Sequence, residues 1–263
     1  MIFNDIEYFT LRLIRKYLFS YEFLTKYGKF VPYYKITSGQ FSPKLIIDRY
    51  LKYKESENID IKGKTILELG VGATNSTCYS LVDHGAKSCY AYEPYVRFNK
   101  EIDDKIIEQN SPYRHILDKV IRIEDLNDVG PGGIDIVFSN SYLQYIENLG
   151  ELCRHLRRIV KDDAWMVHRT DYRDHFFKYP FQFYKFNKKT WRIINTGLSR
   201  LRISDHVRIF NENGFEAKIL DQTIEMKEFL KFKSENKINK EFQHYSDNDL
   251  ATVMGVVSAR VRI

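Results

Sequence analysis

The feature that most constrains the fold is the stretch of residues 65–74, TILELGVGAT, in which a short apolar run ends at two closely spaced glycines. The apolar run has the near-continuous hydrophobicity of a parallel strand that is covered on both faces. Gly70 and Gly72 permit positive φ angles and a close approach of the backbone to a ligand. The pattern predicts a buried strand, a tight turn and a helix that Asn75 or Ser76 caps.

A carboxylate follows the next predicted strand, residues 88–93, which ends at Glu93 and is followed by Pro94. Glu93 lies 21 residues beyond Gly72. Nucleotide-binding βαβ units place a ribose-binding acid at an offset of about 20 residues. Because one carboxylate accepts both hydroxyls of a ribose, the two features together predict a ligand that contains adenosine.

More than one class of protein could use such a turn to bind an adenosine-containing ligand. A nicotinamide-dependent (NAD(P)) oxidoreductase is expected to carry the full G-x-G-x-x-G fingerprint, but Asn75 stands where the third glycine belongs. Glu68, two residues before Gly70, would repel a pyrophosphate and attract an ammonium group. A binding module that keeps the nucleotide fold without catalysis is a further alternative. It would be indicated if the polar cluster at residues 168–175 proved buried and remote from the glycine turn.

Residues 66–72 and 92–94 resemble the first two motifs of the class I methyltransferases that use S-adenosylmethionine. The resemblance implies an α/β fold with a doubly wound, Rossmann-like sheet of seven strands, the last of them antiparallel. It implies that S-adenosyl-L-methionine is the cofactor. In that family Glu68, Gly70 and Gly72 correspond to the residues that hold the methionine part, and Glu93 to the acid that holds the ribose.

Later strand ends add candidates for the same pocket. Glu124 and Asp125 follow the predicted third strand, where the resembling family contacts the adenine amino group, and Asp125 is preferred. Asn140 and Tyr142 follow the predicted fourth strand and are expected to line the cofactor and acceptor pockets. Open α/β sheets bind ligands beyond the carboxyl ends of their strands, so we expect these residues at one edge.

The turn after the fourth strand departs from the family's pattern. It reads Leu-Gln-Tyr at residues 143–145 where the resembling enzymes commonly have Leu-Glu-His. The departure removes one acid and one base, so we predict no acid–base chemistry for this turn.

The candidate catalytic residues are His168, Asp171, Asp174 and His175, which fall within eight positions that begin at the last residue of the predicted fifth strand, residues 164–168. A base assists methyl transfer to a hydroxyl, and a histidine is mostly neutral at cell pH. A carboxylate can orient the ring, so we predict His168 with Asp171, or His175 with Asp174, as base and orienting group. Structural roles for all four are the alternative. A magnesium ion held by Asp171, Asp174 and His175 is a further one, although we predict no metal.

Residues 168–175 also resemble a submotif of bacterial methyltransferases found among surface-polysaccharide biosynthesis proteins, and this resemblance covers roughly residues 60–215. It implies O-methylation of a sugar, a nucleotide-linked sugar or a phosphate-type group in capsule or other polysaccharide biosynthesis. Arg200 lies within it and is a candidate for acceptor binding. Tyr33 and Tyr34 are further candidates, because the segment before the first strand often shapes the acceptor pocket in the resembling enzymes.

These motifs divide the chain into four parts: an N-terminal helical cover (1–58), an S-adenosylmethionine-binding core (59–175), an aromatic and basic lid (176–203) and a C-terminal part with the closing antiparallel strand (204–263). The cover is predicted to begin with an amphipathic helix whose packing face carries Ile6, Phe9, Leu13, Tyr17 and Tyr21. The lid is expected either to stack a base or sugar ring or to form a small satellite core with solvated lysines.

The composition indicates a globular protein of a reducing compartment. The excess of 41 Lys+Arg over 35 Asp+Glu, a net charge of +6, falls short of a nucleic-acid-binding signature. The 3 cysteines are widely spaced, which favours neither disulfides nor a zinc site. No apolar run is long enough for a membrane span, and no signal peptide is indicated. We predict a cytoplasmic protein that has no nucleic-acid partner and no stable membrane insertion. Its acceptor is predicted to be a small molecule, either linked to a nucleotide or not.

Overall fold

The computed structural model describes residues 2–19, 23, 27, 43–176, 178–195 and 197–262. Within this part of the chain, one 7-stranded sheet has the order β3-β2-β1-β4-β5-β7-β6. Its strands are β1 Thr65–Leu69, β2 Ser88–Tyr92, β3 Val120–Ile123, β4 Ile134–Asn140, β5 Val160–Asp171, β6 Phe215–Ile224 and β7 Thr252–Val261. Strands β1 to β5 are parallel, and β7 is antiparallel to both of its neighbours. The predicted doubly wound, Rossmann-like sheet is therefore confirmed.

Helices cover both faces of this sheet. They are α1 Ile2–Tyr17, α2 Pro43–Ser56, α3 Ser76–Asp83, α4 Lys100–Gln109, α5 Leu149–Ile159, α6 Lys188–Ile194, α7 Ile203–Glu212, α8 Met226–Glu235 and α9 Asp247–Ala251. Pro43 opens α2, as expected from its fixed φ angle. Helix α7 is capped by Arg202, and the hydroxyl of Ser204 in its first turn donates to Asp249.

Strand β5 is longer than the apolar run that predicted it. The sequence indicated residues 164–168, whereas the strand spans Val160–Asp171. Residues 161–163 are exposed polar residues at its start, and Arg169 and Asp171 lie partly exposed near its end. Polar ends of this kind carry no hydrophobic signal, so only the buried centre of the strand is visible in the sequence.

Two hydrophobic cores lie on opposite faces of the sheet. One packs Leu67 and Met166 against α5 and α7, and the other packs Ile66 and Trp165 against α2 and α3. Because side chains alternate along a strand, each residue at a strand end inherits the face set by its position. This alternation decides which site residues approach α2 and which approach α7.

Helix α1 packs with a different face from the one predicted. Ile6 and Tyr17 are 57% and 65% exposed, whereas Tyr8 and Arg12 are buried completely or nearly so. Phe9 and Leu13 are partly buried and pack against the third hydrophobic cluster, and Tyr21 lies outside the residues that the structure describes. The buried face thus includes an arginine, which an apolar stripe cannot indicate. No helix of the described part of the chain is long and apolar enough to cross a membrane.

A third hydrophobic cluster joins α1 to the segment after β5 and to α8 and α9. Its aromatic members from the predicted lid are Phe176, Tyr179, Phe181, Phe183, Tyr184 and Trp191, all buried. They pack on Tyr8, Phe229 and Phe242. Of the two alternatives for this segment, these contacts support the satellite core, because buried rings present no face to a ligand.

Candidate active site

The turn after β1 has the strained geometry that its glycines predicted. Gly70 and Gly72 have φ angles of 78° and 74°, a region that side chains with a Cβ rarely adopt. A Cβ on Gly70 would lie 2.5 Å from Cδ2 of Tyr142. The backbone N–H of Gly70 donates to the carbonyl of Tyr92 at 2.8 Å. The turn is therefore fixed between the ends of β2 and β4, and only glycine fits at position 70.

Glu93 fastens the same turn from the end of β2. Its buried carboxylate accepts the N–H of Gly72 at 2.9 Å through Oε2, and the N–H groups of Tyr95 and Val96 at 3.0 and 3.1 Å through Oε1. An ionised carboxylate has about four acceptor positions, so about one stays available for a hydroxyl of a ribose. Glu93 thus sets the shape of the turn and keeps a position for about one ribose hydroxyl, where the sequence predicted that it would accept both.

Two further residues, which no motif of the sequence indicated, brace the turn. Arg122 of β3 donates to the carbonyl of Gly72 at 2.7 Å and to Oδ1 of Asn75 at 3.0 Å. Asp103 of α4, 2% exposed, accepts the N–H of Asn75 at 2.7 Å. A charged residue inside a short strand and an acid on the buried face of a helix were the available signals. These contacts preorganise the turn before any ligand binds.

Glu68 points away from the surface of the turn. It lies on the α2 and α3 face of the sheet, is 3% exposed, and accepts hydrogen bonds from Tyr50, Thr77 and Cys78. Burial raises the pKa of its carboxyl group. These three donors come from α2 and α3, so Glu68 fastens both helices to β1, and its contact with an ammonium group stays a prediction.

The remaining cofactor candidates lie at the same edge. Glu124 and Asp125 are exposed just past β3, and Asp125 accepts the N–H of Asn127 at 2.8 Å. Tyr142 is buried, its ring 6.1 Å from the ring of Tyr92 in an edge-on arrangement. Asn140, the last residue of β4, accepts a hydrogen bond from Arg169. The ends of β2, β3 and β4 therefore surround the glycine turn as expected.

His175 contacts the turn for which we predicted no acid–base chemistry. Its Nε2 lies 3.1 Å from Nε2 of Gln144, and its Nδ1 lies 3.1 Å from the hydroxyl of Tyr145. Oε1 of Gln144 accepts the N–H of Asp171 at 2.9 Å, so the amide nitrogen must be the group that faces His175. The amide then donates to Nε2, which assigns the ring proton to Nδ1. Gln144 and Tyr145 thus orient this histidine.

The charge state of His175 follows from its surroundings. Burial lowers the pKa of the imidazole, while Asp171 and Asp174 act in the opposite direction. Burial is the larger effect, so the ring is neutral at pH 7 and carries a lone pair on Nε2.

His168 has no access to an acceptor, which argues against its predicted role as a base. It is 0% exposed on the α7 face of the sheet, its ring stacked on Phe210 at 5.1 Å. Its Nδ1 lies 2.9 Å from the hydroxyl of Ser139. Burial lowers the pKa of His168 to about 3, so the ring also accepts protons weakly. The alternation of β5 turns it into the core.

Neither predicted carboxylate serves as the orienting group that we assigned to it. Asp171 forms an ion pair with Arg173, through Nε at 3.1 Å and Nη2 at 2.7 Å. Asp174 is fully buried and accepts from Tyr8, Arg12 and the N–H of Phe176. Asp174 therefore anchors α1 to the turn that carries His175.

The remaining candidates are the alternative metal site, Arg200, Tyr33 and Tyr34. Among the described residues, no group of 3 or more His, Cys, Asp and Glu side chains is placed to hold a metal ion. Arg200 donates to the carbonyl of Phe186 and to Glu241, both at 2.7 Å, so it fastens the satellite core. Tyr33 and Tyr34 lie outside the residues that the structure describes.

Two buried histidines make stability depend on pH. Burial lowers the pKa of His168 and of His206 to about 3, whereas unfolded histidines titrate near about 6.5. The stability that these two neutral histidines contribute is complete above pH 6.5 or so and is lost as the pH falls towards 3. Because the unfolded chain then binds two more protons than the folded one, the free energy of unfolding falls by about 2.7 kcal/mol per pH unit. We expect urea unfolding to show at least this slope between pH 5.5 and 4, and a constant free energy of unfolding over that interval would contradict it.

Comparison with known proteins supports the fold independently. A family model described as a methyltransferase domain matches residues 42–218, more than half of the chain. No curated protein matches the chain.

The three cysteines, for which the sequence favoured neither disulfides nor a zinc site, are Cys78, Cys89 and Cys153. All three are free and buried in the structure.

Three solved structures show how far the likeness reaches. Phosphoethanolamine N-methyltransferase 2 of Haemonchus contortus, in complex with phosphomonomethylethanolamine and S-adenosylhomocysteine, is 12% identical with a TM-score of 0.55, and the match covers 96% of this chain but 60% of that one. A putative sarcosine dimethylglycine methyltransferase from Galdieria sulphuraria is 12% identical with a TM-score of 0.52, covering 82% and 84%. The [4+2]-cyclase SpnF is 14% identical with a TM-score of 0.53, covering 87% and 86%. Similarity at this level of identity establishes the fold and not the reaction.

Proposed function

Since this chain belongs to the methyltransferase-domain family, we propose that it transfers a methyl group from S-adenosylmethionine to a hydroxyl of a small polar acceptor. One structural observation supports this most directly. His175 contacts Gln144, which lies two residues beyond Tyr142, the side chain that packs on Gly70 of the glycine turn. A neutral histidine and a preorganised cofactor turn thus lie along one edge of the sheet.

The residues at this edge fit S-adenosylmethionine. Gly70 and Gly72 allow the backbone to approach the methionine part, Glu93 keeps about one acceptor position for the ribose, and Asp125 is exposed where the adenine amino group would lie. When bound, the cofactor supplies an electrophilic methyl group on a sulfonium. The contacts of Arg122 and Asp103 keep the turn in place, so little conformational entropy is lost on binding.

His175 is the proposed general base. An acceptor hydroxyl that displaces the Gln144 amide meets the Nε2 lone pair and gives up its proton there. The resulting imidazolium keeps its Nδ1 proton on the hydroxyl oxygen of Tyr145. The negative charges of Asp171 and Asp174 favour this charged form. The displaced proton is held while the acceptor oxygen takes the methyl group in line.

The acceptor classes in our proposal are a sugar, a nucleotide-linked sugar and a phosphate-type group of surface-polysaccharide biosynthesis. The support for them is the resemblance of residues 168–175, and oxygen is favoured over nitrogen because a neutral histidine suits a hydroxyl.

The test is the stoichiometric formation of S-adenosylhomocysteine and methylated product with a panel of hexoses, hexose phosphates and nucleotide sugars. We expect at least one acceptor to yield both products in equal amounts, with the methyl group on oxygen. Methylation confined to amines would contradict the proposed hydroxyl chemistry.

A non-methylating use of the same fold is the second candidate, because the [4+2]-cyclase SpnF shares it. Binding of S-adenosylmethionine without any transfer to the whole panel would favour this candidate. The family match leaves the nicotinamide-dependent oxidoreductase without support.

A further inference from the structure

Ser141, the residue that follows β4, has a backbone conformation that residues with a side chain rarely adopt. Its φ angle is 61°, in the left-handed region where a Cβ crowds the neighbouring backbone. Among the residues that the structure describes, Asn58 is the other non-glycine residue with a positive φ angle. Asn58 precedes β1, so it lies at the opposite end of the sheet from the functional edge. Strained backbone of this kind clusters at functional sites.

Ser141 is the point at which the chain passes from strand to helix. Its N–H donates to the carbonyl of Arg169 at 2.8 Å, which extends the ladder between β4 and β5 by one hydrogen bond. The φ and ψ angles of the next residue, Tyr142, are −102° and −48°, and a single helical turn, Leu143–Tyr145, follows. The N–H of Tyr145 closes this turn on the carbonyl of Tyr142 at 3.0 Å. The change of direction therefore depends on the conformation of Ser141.

The residue after Ser141 packs on the glycine turn. Tyr142 is buried, and a Cβ placed on Gly70 would lie 2.9 Å from Cβ and from Cγ of Tyr142. The ring of Tyr142 also meets the ring of Tyr92 edge-on at 6.1 Å. If the backbone of Ser141 rotated into the extended region, Tyr142 would leave the turn that we assign to the methionine part of the cofactor.

The helical turn that follows carries two side chains that contact His175. Gln144 is held by its carbonyl, which accepts the N–H of Ser199 at 2.7 Å, and by Oε1, which accepts the N–H of Asp171 at 2.9 Å. Gln144 and Tyr145 then contact the two ring nitrogens of His175. One backbone joint thus precedes both the residue on the glycine turn and the residues at the proposed base.

We propose that Ser141 is a positioning residue: its left-handed backbone holds Tyr142 on the glycine turn and directs the next helical turn towards His175. Ser141 acts through these neighbours and not by touching the reacting atoms. Methyl transfer needs a narrow range of distance and angle between donor and acceptor, so a shift of this joint would separate the cofactor from the base. This inference rests on the proposed function, since it assigns the geometry of the same edge.

The test separates backbone conformation from side-chain chemistry at position 141. Ser141→Gly accepts the left-handed region without strain, Ser141→Ala removes only the hydroxyl, and Ser141→Val introduces a β-branched side chain that strongly disfavours this region. Ser141→Thr is β-branched but keeps the hydroxyl, so it replaces Ser141→Val if that variant does not fold. Asn58→Val is the matched control, because it places the same side chain on a left-handed residue away from the functional edge.

The first measurement is an NMR titration of His175 in the protein without ligand, with the signal assigned by His175→Gln. A donor at Nε2 stabilises the neutral ring, so loss of the Gln144 amide in Ser141→Val should raise the pKa of His175 towards the ordinary value of about 6.5. The second is calorimetric titration with S-adenosylhomocysteine, whose affinity should fall at least about 10-fold in Ser141→Val. We expect Ser141→Gly, Ser141→Ala and Asn58→Val to retain the wild-type pKa and affinity.

A purely structural role gives a different pattern, in which Ser141→Val lowers the unfolding midpoint but leaves the His175 titration or the affinity unchanged. That pattern would overturn the inference. Equal effects in Ser141→Ala would assign the role to the hydroxyl, and equal effects in Ser141→Gly or Asn58→Val would exclude the left-handed backbone as the cause, so each would also overturn it. Failure of the wild-type protein to bind S-adenosylhomocysteine would contradict the proposed function, while the titration of His175 would still decide this inference.

Discussion

Asp174→Ala is expected to lower the free energy of unfolding by about 3–5 kcal/mol, the usual cost of leaving a buried charge without its partner. The carboxylate is 0% exposed, and the guanidinium of Arg12 that pairs with it is 1% exposed. Nε and Nη1 of Arg12 have no other hydrogen-bond partner in the described structure, although the rings of Tyr8 and Trp191 lie 5.0 and 4.7 Å from the guanidinium. Urea unfolding at pH 7 measures the loss.

A double variant separates the charge from the packing. Arg12→Met combined with Asp174→Leu removes both charges and keeps most of the volume, so we expect it to recover at least half of the stability lost in Asp174→Ala. Tyr8→Phe removes one neutral donor and should cost about 1 kcal/mol. A loss in Asp174→Ala no larger than that of Tyr8→Phe would show that the buried ion pair does not anchor α1.

His175→Ala is expected to lower the turnover number by about 10²–10⁴-fold, the usual contribution of a general base. Affinity for S-adenosylhomocysteine should stay within about threefold, because His175 contacts the Gln144 turn and not the glycine turn. The pH profile gives a separate readout. Since burial lowers the pKa of His175, the acid limb of the wild-type profile should have its midpoint below pH 6.5 or so, with activity lost as the ring gains its proton.

Two matched variants complete this prediction. Tyr145→Phe keeps the ring but removes the hydroxyl at Nδ1, so it should reduce turnover less than His175→Ala does and move the acid limb. His168→Gln changes the buried histidine, and we expect it to affect stability while turnover stays near the wild-type value. Wild-type turnover in His175→Ala, or an acid limb in that variant with the wild-type midpoint, would contradict base catalysis by His175.

Local patterns in the sequence were sufficient to predict the sheet. The apolar runs of β1 and β4 and the glycines after β1 specify strands and a turn through short-range chemistry. Once the strand ends are placed, topology brings Glu93, Asp125 and Asn140 to one edge without further information. The same logic fails where polar residues extend a strand, as at both ends of β5.

Long-range contacts explain what the sequence did not predict. Arg12 and Asp174 are 162 residues apart, and Arg122 reaches Gly72 across 50 residues, so no local pattern links them. Gln144 and Tyr145 replace an acid and a base of the family's pattern, yet they are side chains that contact His175. Their role comes from the position of the turn and not from the residue types alone.

The most direct test of the central claim is calorimetric titration of S-adenosylmethionine and S-adenosylhomocysteine into the wild-type protein, Glu93→Ala and Glu216→Ala. Glu216, an exposed acid of β6, controls for the loss of one negative charge. We predict micromolar binding to wild type, about −8 kcal/mol, retained in Glu216→Ala and lost in Glu93→Ala, with circular dichroism confirming that each variant is folded. Absence of binding by the folded wild-type protein, or equal affinity in Glu93→Ala, would contradict the assignment of this edge to the cofactor.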